Sequence, residues 1–177
     1  MWAELIGAAA LGLTLPGSVY LAGLTAAAAR PLPRSSGSDP GAVAALRVVI
    51  LVPAHNESRG LLRTLASLQA ELATDAHSRT VVVADNCSDD TAALARAAGV
   101  QVLERDDLSQ RGKGAALQFG FDLLPDADWF IVVDADTDVQ PGFLAAMRRA
   151  MAGGADALQC RYRVRDALAS PRAALAD

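Results

Sequence analysis

The chain has 177 residues, 52% of them hydrophobic and 20% charged, with a formal net charge of −4. That length and apolar content suit about one domain with a real core and exclude a disordered chain. A negative net charge without an aromatic-rich basic stretch excludes the electrostatic footprint of a nucleic-acid-binding protein.

In chain order, no charge follows Glu4 until Arg30, and the uncharged run LIGAAALGLTLPGSVYLAGLTAAAA is long enough for one membrane crossing, which takes about 20 apolar residues. Residues 1–29 are expected to be a membrane anchor, a single transmembrane helix in the cell (inner) membrane. Its Ala and Gly content weakens insertion, and Pro16 would kink it. A cleaved signal peptide is the rival reading, although no Lys or Arg precedes the apolar run. Arg30 and Arg34 follow the run, so the positive-inside rule puts the rest of the chain in the cytoplasm. The Pro-, Ser- and Gly-rich residues 30–44 read as a linker, and a folded domain is expected over 45–177.

From Leu46 the pattern alternates. LRVVILVP predicts a strand, SRGLLRTLASLQAELA a helix with apolar spacing at Leu61, Leu62, Leu65, Leu68 and Leu72, and RTVVVAD a second strand. TAALARAAG predicts a helix closed by Gly99, VQVLER a third strand, GKGAALQFGFDLL a helix and DWFIVVD a fourth strand. PGFLAAMRRAMAGG predicts a helix with Pro141 in its first turn, and ADALQCRYRV a fifth strand. Strands separated by helices imply an α/β, Rossmann-like, mainly parallel sheet with helices on both faces. Cys87 and Cys160 have neither CxxC spacing nor a nearby His, so both read as reduced thiols, with Cys160 buried.

In such sheets the ligand sits outside the carboxyl ends of the strands. The polar clusters PAHNE, ADNCSDD and DADTD all fall there. The first turn, LVPAHNESRG, contains neither GxGxxG nor GxxxxGK[ST], which sets aside dinucleotide-binding and P-loop proteins. Nor does it carry the Gly-rich turn of the nucleotidyltransferases. Asp134, Asp136 and Asp138 alternate directly after a β-branched run, and bare carboxylates there call for a cation or donors. A calcium loop fails on spacing, since Val139 stands where its Gly and Ala145 where its Glu would be. Hard oxygen ligands suit Mg²⁺ or Mn²⁺, with a diphosphate completing the shell. Solvated turn residues capping the next helix are the alternative.

VVILVPAHNES, VVVADNCSDDT, RGKGAAL and FIVVDADTDVQPGFL, in this order, resemble the N-terminal, donor-binding half of a family 2 glycosyltransferase, an inverting nucleotide-sugar enzyme of the GT-A fold. The likeness covers about residues 46 to 165. It implies that Pro53, His55, Asn56 and Glu57 line the nucleoside, with His55 where Tyr is usual. Asp85 would contact the base, with Ala84 in place of the family's first Asp. Lys113 between Gly112 and Gly114 would approach the diphosphate, where flanking glycines permit close backbone approach and a helix start offers N–H donors. Asp134 and Asp136 match the DxD motif, Asp136 as metal ligand and Asp134 as ribose contact or metal support.

Bland readings stand beside these: an Asx turn at Asp85, a solvated helix start at Lys113, a satisfied loop histidine at His55. Asp89, Asp90, Asp106 and Asp107 read as surface or capping carboxylates. The sequons at Asn56 and Asn86 are discounted, since they lie in the site of a cytoplasmic domain.

The resemblance implies a metal-dependent transfer of a hexosyl or N-acetylhexosaminyl group from a nucleotide sugar, UDP-sugar foremost, to a glycan or lipid-linked acceptor. The family's general base and its QxxRW motif lie beyond the motifs found here, and Asp156 and Asp166 match neither. The expectation is a donor-binding half truncated at its C-terminus. A nucleotide-sugar-binding remnant without turnover is the alternative.

Overall fold

The computed structural model describes residues 2–28 and 39–163. Arg30, Arg34 and the residues from Val164 onward, with Asp166, lie outside the described residues. Two units are distinguished, residues 1–35 and 36–177.

The first unit is one helix, α1 (Trp2–Ala28), which runs through Pro16. Leu15, Val19, Tyr20, Leu21 and Leu24 are exposed on it. Among the described residues no helix is long and apolar enough to cross a membrane. The transmembrane helix expected over 1–29 therefore finds no support in the structure. Its Ala, Gly, Ser and Thr content dilutes the hydropathy that the leucines supply.

The second unit opens with α2 (Pro40–Ala44), capped by Asp39, whose Oδ1 accepts from the Gly41 amide at 3.0 Å. These residues read as linker, yet Val43 is buried in the core. Then follow β1 (Val48–Ala54), α3 (Leu61–Leu72), β2 (Ser78–Asp85), α4 (Thr91–Ala97) and β3 (Gln101–Arg105). The unit continues with α5 (Lys113–Leu123), β4 (Trp129–Val132) and α6 (Phe143–Ala152). The sheet has order β3-β2-β1-β4 and every pairing is parallel. The parallel α/β architecture expected from the sequence is present.

β1 is central and Val48 to Val52 are buried without a break. Side chains alternate across a strand, so Val48, Ile50 and Val52 face one side and Val49 and Leu51 the other. The first side packs Leu61, Leu65 and Leu68 of α3, Ala95 of α4, and Leu144 and Met151 of α6. Each leucine buried this way is worth about 1.5–3 kcal/mol relative to exposure. The second side is covered by α5 through Ala116, with Leu124 beyond it. Gly120 lets α5 approach: a Cβ there would stand 2.8 Å from Leu51 Cδ2 and 3.2 Å from Val83 Cγ2. Pro53 is tolerated inside the strand because β4 pairs with β1 only as far as Leu51, so no neighbour on that side misses its N–H.

Two expectations give way. Residues 155–163 carry no regular structure, so the fifth strand is absent among the described residues. Leu158 leans on the core and Cys160 Sγ meets Met147 Sδ at 3.8 Å, which are side-chain contacts and no backbone ladder. Cys160 is accordingly half-buried, as is Cys87, and both are free thiols. Pro141 lies before the first turn of α6, which starts after Gly142 in the left-handed conformation at φ 83. Glu71 caps that helix, its Oε1 and Oε2 accepting from the amides of Gly142 at 2.8 Å and Leu144 at 2.9 Å.

Arg148 of α6 fastens the opposite edge. Its guanidinium donates to Val43 O at 2.6 Å, Leu46 O at 3.2 Å, Ser78 Oγ at 3.0 Å and both oxygens of Asp75. The two side chains are 14% and 12% exposed, so neither charge is well solvated without the other. Burial pushes the Asp75 carboxyl up, but Arg148 and the His77 amide outweigh it and bring the group below its usual value. Arg148→Met is expected to destabilise the protein by about 3 kcal/mol in urea unfolding. An unchanged midpoint would show the staple to be dispensable.

Candidate nucleotide-sugar site

Three loops meet at the carboxyl edge of the sheet. They follow β1 (from His55 to Glu57), β2 (from Asn86 to Asp90) and β3 (from Asp106 to Gly112). Between them lies a cavity of about 430 Å³ lined by Pro53, His55, Asn56, Glu57, Asp85, Gly112 and Lys113, all of them named from the sequence. Asn86, Ser88, Leu108, Arg111 and Ala116 complete the wall together with Ala54. The volume falls within the range of about 300–1,000 Å³ usual for small-molecule sites.

The loops are laced to one another. Asn56, at φ 56, turns its side-chain Oδ1 to accept from the Ser88 amide at 2.8 Å. The Glu57 amide donates to Thr91 Oγ1 at 2.8 Å, and the Ser58 amide to Asp89 Oδ2 at 3.2 Å. His55 Nδ1 stands 2.7 Å from the carbonyl oxygen of Asp85. A carbonyl can only accept, so Nδ1 carries the hydrogen and Nε2 is the acceptor, 3.5 Å from Asn56 Nδ2. Asp89 bonds the Thr91 hydroxyl and amide at the start of α4, a capping role of the kind read from the sequence.

Asp85 is 5% exposed and its charge is matched from within. Arg105 Nη1 donates to Asp85 Oδ1 at 2.7 Å, and Asn86 Nδ2 donates to the same oxygen at 2.9 Å. Arg105 also donates to Gln110 O at 2.7 Å and to Asp107 Oδ2 at 3.0 Å. Asp107, read as a surface or capping carboxylate, thus belongs to the network. The Ser109 hydroxyl foremost, then its amide, holds the Asp107 carboxyl below its ordinary value.

After β4 the chain turns sharply, the Thr137 amide donating to Asp134 O at 3.0 Å. Thr64 of α3, fully buried, donates its hydroxyl to Ala135 O at 2.8 Å and fixes the DxD segment against the sheet. Lys113 Nζ forms an ion pair with Asp134 Oδ1, both partners being partly exposed. Asp138 goes elsewhere, its Oδ1 lying 3.5 Å from Arg63 Nε of α3. Asp136 is exposed. Among the described residues no group of three or more His, Cys, Asp or Glu could hold a metal ion. Asp134 and Asp136 can supply two hard oxygen ligands, which fits Mg²⁺ or Mn²⁺ bound together with waters and phosphate oxygens.

Sequence reasoning passed over Arg105, Asn86, Arg111 and Tyr162. Arg105 ends a strand at the ligand edge, where a guanidinium needs a carboxylate beside it, and that was the available signal. Tyr162 had none. Its phenol is pushed above the usual value by burial first and then by the Asp134 carboxylate, although the side chain is 55% exposed.

A parallel sheet with this crevice at its carboxyl edge is the architecture of the GT-A glycosyltransferases. The sequence profile of glycosyl transferase family 2 matches residues 49–173, and the chain belongs to that family. No curated protein matches it in sequence. Among solved structures it is similar to the mannosyltransferase PcManGT from Pyrobaculum calidifontis in complex with GDP-Man and Mn²⁺, at 20% identity and TM-score 0.62, covering 93% of this chain and 47% of that one. It is also similar to glucosyl-3-phosphoglycerate synthase from Mycobacterium tuberculosis in complex with UDP, at 22% identity and TM-score 0.58, covering 83% and 56%. The same enzyme with Mn²⁺, UDP and glucosyl-3-phosphoglycerate aligns at 21% identity and TM-score 0.54, covering 68% and 46%. At such identity the likeness is one of fold, and the chain spans about half the length of these structures.

The lacing between loops has a pH signature. The Thr91 hydroxyl, with help from Ser58 and the Thr91 amide and against the push of burial, holds Asp89 at about 2. A depressed carboxyl stabilises the fold fully above its unfolded value of 3.8 and loses that contribution as pH falls toward about 2. Acid unfolding of Asp89→Asn should therefore be shallower than wild type across that window, followed by circular dichroism. Superimposable acid limbs would show that Asp89 bonds equally in the unfolded chain.

Proposed function

We propose that this domain holds the donor in a metal-dependent sugar transfer, a nucleoside diphosphate sugar, with UDP-sugar the foremost reading. The observation that carries the proposal is one cavity with a buried, charge-matched carboxylate, Asp85, and with Lys113 at the start of α5, where Lys113 reaches Asp134. Family membership supports the transfer chemistry. UDP with Mn²⁺ in one solved relative, and GDP-Man with Mn²⁺ in another, support the donor class.

Each residue then has a task. Asp85 accepts from the base, while Pro53, His55, Asn56 and Glu57 form the wall beside the nucleoside. Gly112, at φ 105, brings the chain to the first turn of α5, where helix amides have no intrahelical partner and suit an anion. Lys113, on its long stem, can leave Asp134 for the phosphate oxygens. Asp136 and Asp134 would hold Mg²⁺ or Mn²⁺, whose chemistry when bound is to offset charge gathering on the departing diphosphate. The group passed on would be a hexosyl or N-acetylhexosaminyl unit, and the acceptor a glycan or a lipid-linked sugar. Calorimetry on the full chain should show UDP binding strengthened at least about tenfold by Mn²⁺, with the gain lost in Asp136→Asn. UDP binding indifferent to both would remove the metal from the reading.

A membrane-associated location, with the domain facing the cytoplasm, is proposed from the uncharged first segment and from the apolar side chains exposed on α1. Carbonate extraction of cells making the full chain should leave it in the pellet. Release into the supernatant would overturn the location and leave the chemistry standing.

A further inference from the structure

The DxD segment has the cavity on one side and α3 on the other, and α3 touches it along its length. Gly60, which precedes the first turn of α3, packs on Asp136: a Cβ there would stand 3.8 Å from Asp136 Cα and 3.7 Å from Ala135 O. One turn on, the Thr64 hydroxyl donates to Ala135 O at 2.8 Å, and beyond it Ser67 Oγ accepts from the Val139 amide at 3.2 Å. That packing carries two guanidiniums to the motif. Arg63 has its Nε 3.5 Å from Asp138 Oδ1, longer than a good hydrogen bond, and its side chain is 59% exposed. Arg59, next to Gly60, is exposed and has no hydrogen bond or ion pair among the described residues. Neither lines the cavity, whose own cations are Arg111 and Lys113.

We propose that Arg59 and Arg63 form an anion site for the acceptor, taking a phosphate group carried by the molecule that receives the sugar. This deepens the nucleotide-sugar reading above and rests on it. A nucleotide that fills the cavity leaves the acceptor to approach the DxD segment from outside, and the start of α3 is the element that stands there. Lys113 meets Asp134 from the cavity side of the same segment. The motif is thus flanked by cations on both sides, one suited to the departing diphosphate and the other to an incoming anion.

The number of donors favours phosphate over carboxylate. One guanidinium fork already satisfies the two oxygens of a carboxylate, whereas a phosphate monoester has three terminal oxygens and a larger charge, enough to engage two forks. The long contact between Arg63 and Asp138 leaves that guanidinium able to take a second anion. Leu62, between the two arginines in the chain, is 45% exposed and sets an apolar side chain beside the charge. Such a phosphate comes either as the head of a lipid or on a small soluble ester, and the group recognised is common to both.

The test is calorimetry on the full chain loaded with saturating UDP and Mn²⁺, so that the cavity is closed to phosphate. The probes are glycerol 3-phosphate, glycerol and farnesyl phosphate. Glycerol 3-phosphate should bind and glycerol should not. In the double variant Arg59→Gln with Arg63→Gln, glycerol 3-phosphate should weaken by roughly 10- to 100-fold, while UDP with Mn²⁺ stays within about twofold of wild type. Farnesyl phosphate binding at least about tenfold tighter than glycerol 3-phosphate, with the excess lost in Leu62→Ser, supports the site and identifies a lipid source. Equal affinity of the two, both weakened in the double variant, supports it with a soluble ester as the source. Glycerol 3-phosphate binding the double variant as tightly as wild type overturns the proposal, and so does its failure to bind the UDP-loaded protein. Should the double variant not fold, Arg59→Gln decides, since that side chain has no partner to lose: unweakened phosphate binding there overturns the proposal. Failure of UDP itself to bind would instead bring down the nucleotide-sugar reading, and this inference with it.

Discussion

A central parallel strand that is buried on both faces is the constraint from which the rest of this structure follows. Val48 to Val52 give β1 no polar face, so both sides of the sheet must be covered by helices. α3, α4 and α6 cover one side and α5 the other. The polar groups that the chain needs for chemistry can then stand only at strand ends, where helices have not yet closed over the sheet. That is why Pro53, Asp85, Arg105 and Asp134, far apart in sequence, end up around one edge.

The ion pairs divide by burial, and the division decides what each contributes. Arg47–Asp128, Arg79–Asp126 and Arg96–Glu104 have side chains from 34% to 54% exposed. Solvated pairs of that kind stabilise by about 0–1 kcal/mol and fade with salt. Arg105–Asp85 and Arg148–Asp75 are enclosed. Their desolvation is costly and each depends on every donor being used, which is why both guanidiniums also bond backbone carbonyls. One enclosed pair locks α6 to the start of the domain, and the other organises the cavity.

The cavity itself is graded in charge. One end is a carboxylate already balanced by Arg105, whereas the other carries Lys113, held to Asp134 by a pair open to solvent. The first arrangement is rigid and suits recognition of a fixed pattern of donors. The second is loosely held and suits a group that must exchange one anion for another as a charged ligand enters.

The alternation of apolar and polar runs, by itself, determined the order of strands and helices and the three clusters at their ends, because periodicity and burial are local properties of a chain. It also placed Pro53, His55, Asn56, Glu57, Asp85, Gly112 and Lys113 in one cavity, through a resemblance carried by four motifs in order. What α1 does was not legible, since apolar length alone does not fix a crossing. The fifth strand was misread because strand-like composition does not make a backbone ladder: β3 and β4 both have an unpaired edge, yet residues 155–163 meet the core through side chains such as Leu158. Only the tertiary structure decided that Asp85 meets Arg105, that Asp138 turns to Arg63 and that Lys113 takes Asp134. Those pairings depend on register and on helix placement across the sheet. A slip of one residue between β2 and β3 would send Arg105 to the opposite face, and no local pattern records that choice.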